Sequence, residues 1–210
     1  MAGCCPPRGY DVVFDERQAR RDLKRWRTKG LAGDAREAVE FLAGEGVASL
    51  LEIGGGIGAV QIELLRRGVE RATNVELSPG YEEVARALAR EEGLAERVER
   101  LLGDAVTAEL PDADAVLLTR VVCCYPDYEA LLGASARHAR RFLVFTFPRS
   151  GVGASAAVWV ANLLLRLRGR DFRAYAHPRD GLVGATERHG LRLVHERRAL
   201  LWQTAAFMRP

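Results

Sequence analysis

The residues best suited to chemistry here are one glycine run and three carboxylates placed at or near strand ends. Leu50-Leu51-Glu52-Ile53-Gly54-Gly55-Gly56-Ile57-Gly58 reads as a short buried strand that breaks into a tight turn and runs directly into a helix. Gly54 and Gly56 allow backbone geometry that a side chain would obstruct and let a ligand approach the main chain, with Gly55 between them. The N-terminus of the helix that follows offers free N–H groups to a polar or anionic ligand. Glu76 closes the next strand about 20 residues on, where an acid can accept both hydroxyls of a ribose. Leu77 and Ser78 fall in the same binding group, and Ser78 is also placed as a helix N-cap before Pro79. A third strand ends in Gly103-Asp104-Ala105. The three signals describe a nucleotide-type cofactor laid across the edge of a parallel sheet. On the first segment alone, an ordinary glycine turn and NAD both remain open, since Gly54, Gly56 and Ala59 satisfy a relaxed G-x-G-x-x-A pattern.

Alternating elements must position these groups. Helical patterns run over 15–29 and 34–43, then a strand over 48–53 and a helix from Gly58 to a stop at Gly68. A strand to Glu76, a helix over 81–92 and a strand over 98–102 follow. The fourth strand is expected over 114–121, a helix over 127–140 and the fifth strand over 141–147. A long apolar helix spans 150–165, another helix starts after Pro178, and strands occupy 191–201 and 202–209. This alternation predicts a doubly wound α/β sheet. Residues 1–45 form an N-terminal helical cap, and 46–210 the binding domain with a helical lid around 150–170, all one structural domain. Tyr10, Phe14, Arg25 and Trp26 of the cap are placed over the cleft.

With Glu52, the E-x-G-G-G-x-G loop, Glu76 and the Gly-Asp strand end in order, the chain resembles the class I S-adenosylmethionine (SAM)-dependent methyltransferases over residues 41–210. The resemblance implies a seven-stranded Rossmann-like sheet ending in an antiparallel pair, with SAM as cofactor and S-adenosylhomocysteine as product. It implies that Glu52, Gly54, Gly55, Gly56, Glu76, Leu77, Ser78, Asp104 and Ala105 hold SAM, with Asp104 receiving the adenine amino group. Arg120 and Val121 would border the methionine or adenosine portion. The segment after strand four, Thr119 to Asp127, lacks the Asn-Pro-Pro-Tyr or Asp-Pro-Pro-Tyr of amino-methylating DNA enzymes. It also lacks the carboxylate cluster of a Mg²⁺-dependent catechol enzyme. It is similar instead to the loop of bacterial small-molecule methyltransferases of the magnesium-protoporphyrin O-methyltransferase kind, with Cys124-Tyr125-Pro126 where those carry His-Tyr-Pro.

Methyl transfer from a sulfonium is an in-line displacement in which alignment supplies most of the acceleration. Tyr125 is the candidate nearest the transferred methyl, with a packing aromatic as the alternative. His177 is the candidate base, with a structural N-cap before the helix at Pro178 as the alternative. His138, His189 and His195 read as surface residues.

Composition limits the partners. The 210 residues carry 31 basic and 28 acidic side chains, a balance that does not predict a nucleic-acid surface. The basic run from Arg17 to Lys29 reads as a solvated helical face. Cysteines occur as Cys4-Cys5 and Cys123-Cys124, without zinc-ligand spacing, so no metal is expected. The N-terminus lacks the apolar core of a leader, and a reduced cytoplasmic protein is expected. Residues 150–165 carry no formal charge but are too short for a membrane span. A helix apolar all round calls for a cover. The preferred reading is a lid over an apolar acceptor, followed by peripheral membrane contact or pairing of two subunits. The function expected is methyl transfer to a small, hydrophobic acceptor. The rivals are an NAD-dependent oxidoreductase, a non-catalytic SAM-binding protein and an RNA methyltransferase.

Overall fold

In the parallel strands, successive residues face two different helical layers, each with an apolar core. A computed structural model describes residues 9–149 and 152–210. In β1 (Ser49–Ile53), Leu50 points into one core while Leu51 and Ile53 point into the other. The same alternation separates Ala115 and Leu117 from Val116 and Leu118 in β4 (Ala113–Leu118), and Phe142 and Val144 from Leu143 and Phe145 in β5 (Ala139–Pro148). Helices α3 (Gly33–Gly44), α4 (Ala59–Arg66) and α5 (Glu82–Glu91) cover the first face, and α6 (Tyr128–His138) and α8 (Arg179–Glu187) cover the second.

With β2 (Arg71–Glu76), β3 (Val98–Leu102), β6 (Arg192–Arg198) and β7 (Trp202–Met208), the sheet has seven strands in the order β3-β2-β1-β4-β5-β7-β6. β1 to β5 run parallel, and β7 lies antiparallel between β5 and β6. This is the doubly wound sheet with an antiparallel end that the sequence predicts. The order reverses direction at β1 and β4, so the ligand crevice opens beyond their carboxyl ends.

Local departures have local causes. β4 stops at Leu118 rather than at residue 121 because Arg120 adopts a left-handed backbone, φ 60°. Ser78 precedes a 3₁₀ turn, Pro79–Tyr81, without capping it; its hydroxyl donates to the Phe14 carbonyl at 2.6 Å. That bond ties the sheet to α1 (Tyr10–Val13) and α2 (Glu16–Lys29), and Asp15 caps α2 by accepting the Gln18 N–H at 2.8 Å. His177 is not the cap of α8, since Pro178 itself holds that position.

The helix α7 (Val152–Leu167) departs most from expectation. Its outer side is exposed, with Trp159 at 66 % and Leu167 at 75 %, and none of the described α7 side chains lines the cofactor-side cleft. The described part of α7 therefore does not cover the cleft in this structure. Among the described residues no helix is long and apolar enough to cross a membrane, and no three His, Cys, Asp or Glu side chains gather as metal ligands. Cys4, Cys5 and the reading of the N-terminus as leaderless lie outside the described residues.

Candidate active site

The turn after β1 closes because three of its glycines take left-handed backbone, with φ of 64° at Gly54, 57° at Gly56 and 80° at Gly58. Gly54 donates to the Val75 carbonyl at 2.7 Å and Gly58 to that of Gly55 at 2.9 Å. Space also requires glycine. A Cβ on Gly54 would stand 2.6 Å from Val121 Cγ2, and one on Gly55 would stand 2.0 Å from Asn74 Nδ2 and 2.6 Å from Glu52 Cδ.

Glu52 therefore does not face the cleft. The alternation of β1 puts it on the face of Leu50, beneath Gly55 and fully buried. Strand pairing sets it in a row with Asn74 on β2 and Arg100 on β3. Arg100 ties the row to the loop, donating to the Gly56 carbonyl at 3.2 Å and to Glu82 at 2.9 Å. Burial pushes the Glu52 carboxyl up to about 8, against the opposing pull of the Arg100 charge. Its task is to support the loop from below. Ser78 is also turned inward, on Phe14, and does not face the cleft.

The remaining residues assigned to the cofactor meet around one cleft of about 340 Å³: Gly54, Gly55, Gly56, Glu76, Leu77, Asp104, Ala105, Arg120 and Val121. Glu76 is held by two backbone N–H groups, Gly56 at 2.9 Å and Ser78 at 3.0 Å. Burial raises its carboxyl above the ordinary carboxylate range, and those two N–H groups oppose the rise. Each oxygen of this carboxylate keeps a free lone pair. Asp104 accepts from Val106 N at 2.9 Å and from the Tyr125 hydroxyl at 2.9 Å.

Tyr125 thus lines the cleft with its hydroxyl committed to Asp104. Burial and that carboxylate both push the phenol well above its usual range, so it is a hydrogen-bond donor and not a base near neutral pH. His177 does not line the cleft. Its Nε2 meets the Tyr125 carbonyl at 2.9 Å, and its ring lies 5.5 Å from Tyr175, stacked at 8°. Burial lowers its pKa, so the imidazole stays neutral at pH 7 and acts as a positioning residue for the Tyr125 loop. The other histidines are held rather than free. His138 pairs with Asp112 at 3.0 Å and His195 with Glu37 at 2.8 Å, and His189 packs against Gly133.

Arg120 borders the cleft but its guanidinium is already engaged. It donates to Asp34 at 2.6 and 2.8 Å and lies over the Trp202 ring at 4.6 Å. Tyr10, Phe14, Arg25 and Trp26 of α1 and α2 do line the cleft, as expected of the cap. Asp22 and Tyr81, not expected from the sequence, line it too, as do Thr119 and Cys124 of the segment after β4. Tyr81 donates to Asp22 at 2.8 Å and Tyr10 donates to the Cys124 carbonyl, so the cap is latched at both ends. The spacing of Trp26 and Asp22, one helical turn apart, is the signal that Asp22 shares the face of the cleft.

A SAM-like ligand suits these residues. The glycine cradle excludes side chains, carboxylates stand at the ends of β2 and β3, and the buried Thr119 Oγ1 on the cleft wall has no partner among the described residues.

Comparison with known proteins agrees. A methyltransferase-domain family model matches residues 51–142. The bacteriochlorophyllide d C-20 methyltransferase of Chlorobaculum tepidum is 30% identical over 93 residues, 42% of this chain; the match spans only 28% of that relative's length. The magnesium protoporphyrin IX methyltransferase of Synechocystis PCC 6803, crystallised with S-adenosylhomocysteine, superposes with a TM-score of 0.71 at 16% identity. That alignment covers 95% of this chain and 99% of the other. An O-methyltransferase family protein from Burkholderia thailandensis gives a TM-score of 0.70 at 17% identity, over 94% of this chain and 63% of that one. Residues 51–142 therefore match a methyltransferase domain, and the chain as a whole has the seven-stranded fold of these methyltransferase structures.

Proposed function

We propose that this protein transfers a methyl group from SAM to a small, largely apolar acceptor. One observation carries the reading: the Gly54–Gly58 cradle and the carboxylates of Glu76 and Asp104, from three successive strand ends, face a single cleft. When bound, SAM supplies an electrophilic methyl on a sulfonium. Glu76, fixed by two backbone N–H groups, would accept the ribose hydroxyls, and Asp104 would accept the adenine amino group. Tyr125 holds Asp104 in place from the opposite wall. In this assignment Tyr125 serves the adenine end rather than the methyl.

The acceptor side is formed by Tyr10, Phe14, Trp26 and Leu31, which suit an apolar molecule. No histidine lines the cleft among the described residues. The chain's contribution is then mainly alignment, holding the acceptor atom about 3–3.5 Å from the methyl carbon. The curated relative and the Synechocystis neighbour act, by their names, on tetrapyrroles, which supports a flat apolar acceptor as the first class to screen.

Calorimetric titration with SAM, S-adenosylhomocysteine and NADH tests the cofactor. The expected result is binding of both adenosyl ligands and none of NADH. Glu76→Ala should weaken adenosyl binding about ten- to a hundred-fold, the value of hydrogen bonds to a charged group. NADH binding alone would transfer the site to the oxidoreductase reading.

A further inference from the structure

The exposed side of α7 and the hairpin tip beside it form an apolar, cationic surface that the methyl-transfer reading does not use. At 100° per residue, Trp159, Val160, Leu163, Leu164 and Leu167 share one arc of about 140°, and all five are at least 40 % exposed. The opposite side is the anchored one. Asn162 makes two hydrogen bonds with the Ala174 backbone, at 2.8 and 2.9 Å. The apolar arc is thus a fixed outward face of the helix. Arg149 N donates to the Leu201 carbonyl at 2.9 Å, which places the β6–β7 tip beside the end of β5, just before α7. There Leu200 is 83 % and Leu201 70 % exposed. A soluble monomer rarely leaves so many large apolar side chains together in water.

Charge identifies the partner. Residues 149–170 contain no Asp or Glu but hold Arg149, Arg166, Arg168 and Arg170, and the next acid in the chain, Asp171, lies by Arg166 and Arg170 around one groove. On the helical wheel Arg166 and Arg168 flank the apolar arc on its two sides. These four are exposed, and none makes an ion pair among the described residues. A second copy of the chain would set this patch against its own like charges, because a two-fold interface pairs a surface with itself. An anionic bilayer accepts both features, taking the apolar arc into its interface and the arginines at its headgroups.

We propose that α7 and the Leu200–Leu201 tip dock this protein on the surface of an anionic membrane. The segment after α7 ties the patch to the cleft. Phe172 packs on Tyr10 and Phe14 with ring centroids 5.3 and 5.4 Å away, and Tyr175 N donates to the Cys123 carbonyl at 2.7 Å.

Co-sedimentation of the full chain with vesicles of phosphatidylcholine, with and without phosphatidylglycerol, tests this. The expected result is binding to the anionic vesicles that falls with added salt, with a blue shift of Trp159 fluorescence that W159F abolishes. The triple change Arg166→Gln, Arg168→Gln, Arg170→Gln should lower the partition about a hundred-fold, since each arginine near an anionic surface is worth about fivefold. Leu163→Ser with Leu167→Ser should weaken it at least tenfold while the melting temperature shifts by no more than about 4 °C. Absence of vesicle binding, or binding indifferent to both sets of changes, overturns the proposal. So does a concentration-dependent dimer broken by the serine pair without vesicle binding, which would assign the face to a second copy.

Discussion

The glycine loop and α7 both follow strands of the same parallel sheet, β1 and β5, and both leave from the edge that holds the cleft. Beyond β1 the chain is confined on every side. Gly55 lies against Asn74 and Glu52, Gly54 against Val121, and Arg100 holds the Gly56 carbonyl from below. Beyond β5 the chain leaves the sheet, and α7 presents five large apolar side chains to solvent, anchored from behind through Asn162. The first region is shaped by what it must keep out, so one added methyl group is felt there. The second is shaped by what it can meet, and a polar change there costs the folded chain little. The cleft's shape is thus set by backbone, while the face of α7 is set by side chains on the outside.

The contrast breaks most sharply at Gly55. Gly55→Val drives a branched side chain into Asn74 and Glu52, and overpacking of this kind costs about 1–3 kcal/mol. Thermal unfolding should fall by about 5–10 °C for a chain of this size, and calorimetry should find no SAM binding. An unchanged melting temperature would mean the loop is not confined from beneath.

The polar row below the loop gives the next effect. Glu52 has a folded pKa near 8, above its unfolded value of 4.5, so the folded state binds more protons between those limits. Stability should therefore be greatest below pH 4.5 as far as this group is concerned, fall as pH rises, and level off above 8. The slope is bounded at about 1.4 kcal/mol per pH unit. Glu52→Gln should remove that slope in urea titrations from pH 5 to 8. A slope that survives the substitution would place its origin elsewhere.

A smaller change is expected at Tyr125. Phenylalanine deletes the hydrogen bond to Asp104, worth about 0.5–1.5 kcal/mol, and should weaken SAM binding by about two- to tenfold. If Tyr125 instead touches the acceptor, turnover would fall while SAM affinity stayed the same. The smallest effect belongs to α7, where Leu163→Ser with Leu167→Ser should alter stability by no more than about 0.5 kcal/mol per site in thermal unfolding.

What could be read in advance follows the same division. Gly54 to Gly58, Glu76 and Asp104 were legible because strand ends and turns leave local signatures, and the sheet order followed from the alternation of elements. Glu52 was misplaced although strand parity already set it opposite Ile53, the neighbour that reaches the cleft. His177 was displaced from its capping role by a single residue, since Pro178 can itself end the extended segment before α8. The pairs Arg120–Asp34 and Tyr81–Asp22 join residues far apart in sequence, and no local pattern announces them. The apolarity of α7 was plain, but hydrophobicity states only that a cover is wanted, not that the cleft provides it.

The most direct test is a crystal structure of the protein with S-adenosylhomocysteine. The account predicts ribose hydroxyls on Glu76, the adenine amino group on Asp104 beside Tyr125, and the ligand's backbone passing over Gly54 and Gly56. An adenosyl group bound elsewhere, or bound in this cleft without contact to either carboxylate, would contradict it.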